Sequence, residues 1–164
     1  MFLKVWRLLT LMLAALALTM TSAHVLELSA KMRYDPELYA TVNGTMYRNF
    51  AVVGGAYTIA SIVAAAVLAI LVRGRGVTVG WTVAGAACLL LGFVSWLALV
   101  APVNGAVAAA HRATPTSVPA LWMELRPRWE YGHAAGFMIQ LVGFGALLVS
   151  ILAETPRRAS GRVR

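Results

Sequence analysis

Four uncharged stretches, separated by polar ones, set the plan of this chain. Residues 8–23 carry no charge and follow Lys4 and Arg7. A helix of that length rises about 24 Å, short of a hydrocarbon core of about 30 Å, so a span must take in its flanks, over about residues 5–28. Residues 49–72 are uncharged and long enough to cross. The longest run, residues 76–110, predicts a third span over about 77–101, ending near Pro102-Val103-Asn104-Gly105. Residues 134–153 predict the fourth, entered at His133. Between the first two, Asp35-Pro36 reads as an N-cap and first helical residue, so a helix should start there and run on into the second span. Residues 117–125, among three prolines, predict a short helix between the third and fourth spans. Within the spans small and weakly polar residues share faces: Tyr47, Gly54, Thr58 and Ser61; Trp81, Cys88, Ser95 and Pro102; His133, Gly136, Gln140 and Gly143. Such faces suit close helix packing in lipid, and Gly132 with Gly136 makes a GxxxG pair.

Composition agrees. The chain has 164 residues, 60% hydrophobic and 12% charged, where a soluble domain carries about a quarter charged. One all-α membrane domain is expected, a four-helix bundle with short helical segments in the two extracytoplasmic loops. The net charge of +8 comes from basic residues at segment ends, as in membrane proteins. They form no stripe and no nucleic-acid motif accompanies them, so nucleic acid is not an expected partner. Cys88 is the single cysteine and cannot make an internal disulfide. The first segment, ending in Thr21-Ser22-Ala23, reads either as a signal peptide or as a retained helix. Asn43-Gly44-Thr45 matches a glycosylation acceptor, most simply by chance. With four spans, both termini share one side. That side holds eight of the 14 Lys and Arg, which favours cytoplasmic termini in a multi-pass protein of the cell membrane, with residues 154–164 as a basic cytoplasmic tail.

This topology sends polar residues to one margin. His24, His111 and His133 all fall there, with Glu27, Asn43, Asn104, Trp122, Glu124, Arg128, Trp129 and Glu130. The densest stretch is RPRWEYGH, residues 126–133. His24, Glu27 and Lys31 lie on one helical face, where Glu27 and Lys31 can pair. Charges near hydrocarbon are paired or line a wet cavity. The plain reading is therefore a structural ion pair beside an interfacial histidine, with the tryptophans as an interfacial belt. Three histidines and Glu27 are metal-binding residue types, but no short spacing such as HExxH occurs, so no metal is expected.

The segments HVLELSAKMRYD, APVN and LWMELRPRWEYGH resemble, in that order, the anthrone oxygenase-like family of small four-span integral membrane proteins, largely filed as a domain of unknown function. The resemblance covers nearly the whole chain and rests on His24, Pro102, Asn104, Trp122, Arg128, Trp129 and His133. It implies a four-helix membrane bundle that keeps its first helix. For some members it implies oxidation of anthrones to anthraquinones by molecular oxygen, without metal, flavin or other cofactor. On that reading His24 or His133 is the base, with Glu27 orienting or charging the imidazole. Asn104 or Arg128 stabilises the oxyanion, and Trp122 and Trp129 stack on a lipophilic aromatic substrate. The competing expectation is a non-enzymatic protein that uses its small-residue faces to form a homo-oligomer or to partner a larger membrane assembly. It would have no enclosed pocket.

Overall fold

A computed structural model describes residues 1–47 and 49–154. The expected tail lies, from residue 155 on, outside the described residues. The elements are α1 (Phe2–Lys31), α2 (Pro36–Thr45), α3 (Phe50–Leu71), α4 (Val77–Leu99), α5 (Ala101–Ala113), a 3-10 turn (Pro115–Ser117) and α6 (Val118–Glu154). No strand occurs among the described residues. Four segments are long and apolar enough to cross a membrane: Phe2–Lys31, Phe50–Leu71, Val77–Ala113 and Pro115–Ala153. The fold is an all-α, multi-pass membrane bundle.

Its burial pattern inverts that of a soluble protein. Thr10, Ser61, Thr82 and Ser150 are buried between helices, while Val52, Val63, Val142 and Leu152 are exposed. Hydrocarbon outside removes the reason to bury valine and leucine, so contact and hydrogen bonding decide which face turns inward. The Thr82 and Ser150 hydroxyls meet at 2.6 Å, joining α4 to α6. Trp6 Nε1 donates to Ala64 O at 3.0 Å, joining α1 to α3. The most extensive contact is α4 on α6. Glycine makes it possible: a Cβ on Gly143 would lie 2.8 Å from Cys88 Cβ, and one on Gly85 would lie 2.7 Å from Leu147 Cγ. The GxxxG pair belongs to the same intramolecular seam. Gly132 faces Leu99 and Val100, and Gly136 faces the Gly92 carbonyl.

Two joints interrupt the helices, and the first departs from the expected pattern. Asp35 caps α2 as predicted, accepting from Leu38 N at 2.7 Å. The helix then stops at Thr45 instead of running into α3. Thr41 and Thr45 hydroxyls bond back to the carbonyls of Glu37 and Thr41, a habit that weakens a helix. The break lets Tyr47 turn inward, where it is buried. The second joint parts α4 from α5. Pro102 has no N–H for the Ala98 carbonyl. Arg128 of α6 supplies the missing donors, from Nη2 to Ala98 O at 3.0 Å and from Nε to Leu99 O at 3.1 Å. The stretch 117–125 and the fourth span are a single helix, α6, with Pro127 inside it. At the opposite end of the bundle, the turn from α3 to α4 needs its glycines, with φ of 83° at Gly74 and 58° at Gly76.

Candidate functional site

The polar residues of the sequence meet where α1, α3 and α6 converge beneath α2 and α5. His24 comes from the last third of α1 and His133 from the middle of α6. Their rings stack with centroids 3.9 Å apart and planes inclined by 21°. Both side chains are buried, and Nδ1 of each has no hydrogen-bond partner among the described residues. Aromatic rings enclose the pair. Tyr47 stacks on His24 at 4.8 Å, and Phe50 meets it edge-on at 5.8 Å. Trp129 stands edge-on to His24 at 4.9 Å and to His133 at 4.4 Å.

These residues form one wall of a cavity of about 280 Å³, near the lower edge of the roughly 300–1,000 Å³ typical of small-molecule sites. Five of the residues expected from sequence line it: His24, Asn104, Trp122, Trp129 and His133. Asn104 Oδ1 accepts from Trp129 Nε1 at 2.8 Å. That bond fixes the amide and leaves its Nδ2, which donates to no described residue, for the cavity. Met20, Gly54, Gly55 and Phe93 add apolar surface, and Thr21, Thr58 and Gln140 add polar groups further along the spans.

Two expected residues lie elsewhere. Glu27 is outside the cavity lining and sits 3.8 Å from Lys31 Nζ, so its carboxylate answers the ammonium and not an imidazole. Arg128 is likewise not part of the lining, because both of its bonding nitrogens close the end of α4. His111 is exposed on α5 and takes no part. Among the described residues no three His, Cys, Asp or Glu side chains group as metal ligands.

Behind the aromatic wall is a buried charged group that sequence reasoning only half located. Lys31 was expected to pair with Glu27. Its closer partner is Glu130 at 3.2 Å, and both side chains are 1% exposed or less. Tyr39 OH donates to the same carboxylate at 2.8 Å. Burial and then the adjacent Glu130 charge raise the Tyr39 phenol above its ordinary range, which keeps its proton in place to donate. The Lys31 ammonium also lies 4.1 Å from the Tyr47 ring centroid and 4.7 Å from that of Trp129, a favourable placement over π faces. Among the described residues no well-aligned hydrogen bond reaches Nζ, so charge and rings hold it.

Sequence reasoning also gave no role to Tyr47, Thr58 or Gln140 beyond packing. The signal for Gln140 was present: it is the one amide in an apolar run and shares a helical face with His133. Asn43, the glycosylation candidate, is buried with its Nδ2 bonded to Tyr39 O at 2.9 Å. Chemically, the site offers two close imidazoles, a free amide donor and flat aromatic walls around an apolar space. A scan against protein-family models and searches of curated proteins and of solved structures return no match to this chain.

Proposed function

We propose that this chain is a cofactor-independent membrane oxidoreductase of the anthrone oxygenase type, acting on a lipophilic aromatic with molecular oxygen. The observation that supports it most is the stacked His24–His133 pair, whose Nδ1 atoms have no partner among the described residues, in the wall of an aromatic-lined cavity. The prevalence of Lys and Arg on the side of the termini supports cytoplasmic termini in the cell membrane. The site then lies toward the outer margin.

The substrate enters from lipid and lies between Trp122, Trp129 and Phe93. One imidazole accepts the proton from the acidic carbon of the central ring. The second cannot easily become charged as well, because two positive rings at 3.9 Å repel, so the pair takes one proton per turn. The carbanion delocalises onto the ring oxygen, where Asn104 Nδ2 donates to it. The anion transfers one electron to oxygen. The resulting radical and superoxide combine, and the peroxide is protonated by the imidazolium. Loss of water from this hydroperoxide, with removal of the second hydrogen on that carbon, gives the quinone. One oxygen molecule is consumed, and one of its atoms leaves as water.

The test is oxygen uptake and quinone absorbance with anthrone and purified protein in nanodiscs. The expected result is equimolar oxygen uptake and quinone formation above the rate in empty discs. His24→Ala and His133→Ala should each lose at least about 100-fold, the low end for removing a general base. A variant that stays folded and keeps full turnover removes that histidine from the mechanism. Wild-type protein no faster than empty discs overturns the proposal. The small-residue seam that a partner-binding protein would present is already occupied by α4 against α6.

A further inference from the structure

Gln140 has no role in the chemistry above, yet it is an amide held at mid-span. It is 5% exposed and lines the same cavity as the histidines. It sits seven residues along α6 from His133, hence about 10 Å further toward the middle of the bundle. A polar side chain at such depth needs a partner. It has half of one. Thr21 Oγ1 lies 3.1 Å from Gln140 Oε1 and 3.2 Å from Leu18 O. One hydroxyl proton cannot fully serve both. Whichever way the amide is turned, one of its ends meets Thr21. The other makes no hydrogen bond to a described residue and lies beside Gly92, in the wall of the cavity that both residues line.

We infer that Gln140, steadied by Thr21, is a specificity-determining residue that binds a hydroxyl or carbonyl on the substrate's outer ring, remote from the carbon presented to the histidines. The inference rests on the oxidoreductase reading and adds the substrate class: a flat polycyclic aromatic, polar at both ends and apolar between. The space supports this. A Cβ added at Gly55, which lines the cavity, meets nothing within 4 Å. Gly55 thus leaves a slot in the wall of the cavity that Gln140 also lines. A ligand without the second polar group would leave the amide unmatched, and sites built around a hydrogen bond discriminate strongly against such analogues.

The experiment uses the full chain in nanodiscs under nitrogen, with anthrone and an anthrone bearing one outer-ring hydroxyl as probes. Quenching of the tryptophans at the cavity reads binding without turnover. Wild-type protein should bind the hydroxylated ring at least about tenfold more tightly, the worth of one buried hydrogen bond. In Gln140→Leu that ratio should fall to within about twofold. Thr21→Val, which leaves the amide in place, should keep a preference. Gly55→Leu, whose Cβ meets nothing within 4 Å, should fill the slot and abolish binding of both. Oxygen-dependent turnover without a preference, or a preference that survives Gln140→Leu, overturns this inference and leaves the oxidoreductase reading standing. Should Gly55→Leu bind both probes like wild type, the slot is not the binding site. Absence of both binding and turnover in wild-type protein overturns both readings. The wild-type ratio needs no variant, so a misfolded Gln140→Leu does not protect the inference.

Discussion

Removing one partner of the Lys31–Glu130 pair is the most direct probe of how the site is held. Glu130→Ala leaves an ammonium 1% exposed, and breaking a buried pair in this way costs about 3–5 kcal/mol. Three features set the position within that range. Glu27 remains at 3.8 Å, though its side chain is 43% exposed and its field is weakened by water. The Tyr47 and Trp129 rings still face the ammonium at 4.1 and 4.7 Å. Against these, Tyr39 OH loses its acceptor at 2.8 Å, a further loss of about 1 kcal/mol. The compensations place Glu130→Ala near the lower end, at about 3 kcal/mol. Replacing both partners by Lys31→Met and Glu130→Met removes the unpaired charge. Paired apolar replacement is often neutral in other proteins, so the double variant should regain most of the loss. Reversible unfolding in mixed micelles, followed by tryptophan fluorescence, measures all three variants. If Glu130→Ala costs under about 1 kcal/mol, or the double variant is no better than the single, the ammonium is not as dry as its burial implies and the reasoning fails.

Two further outcomes test the scaffold. Gly143→Val places carbon against Cys88 Cβ, 2.8 Å from the new Cβ, and the Gly85 carbonyl at 3.1 Å. It should cost about 1–3 kcal/mol as overpacking, read in the same unfolding assay, whereas Gly145→Ala, where a Cβ meets nothing within 4 Å, should be nearly silent. Arg128→Met uncovers the Ala98 and Leu99 carbonyls at the α4–α5 joint. It should cost about 0.5–1.5 kcal/mol and speed amide hydrogen exchange at residues 100–104, while exchange in the middle of α4 stays unchanged.

The spans were legible because their signal is additive: twenty uncharged residues outweigh any local exception. The α3–α4 turn was legible for the same reason, with Arg-Gly-Arg-Gly interrupting two apolar runs. Helix joints were harder. Between Val42 and Asn49 no proline marks a stop, and Gly44 lies inside α2, one residue before its end, not beyond it; Tyr47 turns inward because His24 and Lys31 await it across the bundle. Burial partners were hardest of all. The i, i+4 rule correctly paired Glu27 with Lys31, but it sees one helix at a time. Glu130, on another helix and itself held by the Tyr39 hydroxyl, lies closer to Lys31 than the local partner does. Arg128 misled in a related way. The resemblance implied a ligand-binding arginine beside tryptophan, yet a proline 26 residues earlier had already created two carbonyls for it. The four-span topology brought His24 and His133 to one margin; only three-dimensional packing determines that their rings touch.

The stretch RPRWEYGH explains why an ion pair and a histidine pair occur together. One continuous helix presents it, so residues four apart share a face. Arg126 and Glu130 form one such pair: Arg126 Nη1 donates to Lys31 O at 3.2 Å and Tyr34 O at 2.9 Å, while Glu130 reaches Lys31 and Tyr39. Together they fasten α1 and α2. Arg128 and Gly132 form the second, the one closing the end of α4 and the other packing against Leu99 and Val100. Trp129 and His133 form the third, bound to Asn104 of α5 and stacked on His24 of α1. A purely structural staple would need the first two faces only. The third holds an indole by its N–H, turns its edge to two imidazoles and leaves their Nδ1 atoms without a partner among the described residues, beside a cavity. Buried polar atoms without partners are costly, and a fold that fastens every neighbouring helix around two of them preserves a geometry that packing alone would not select.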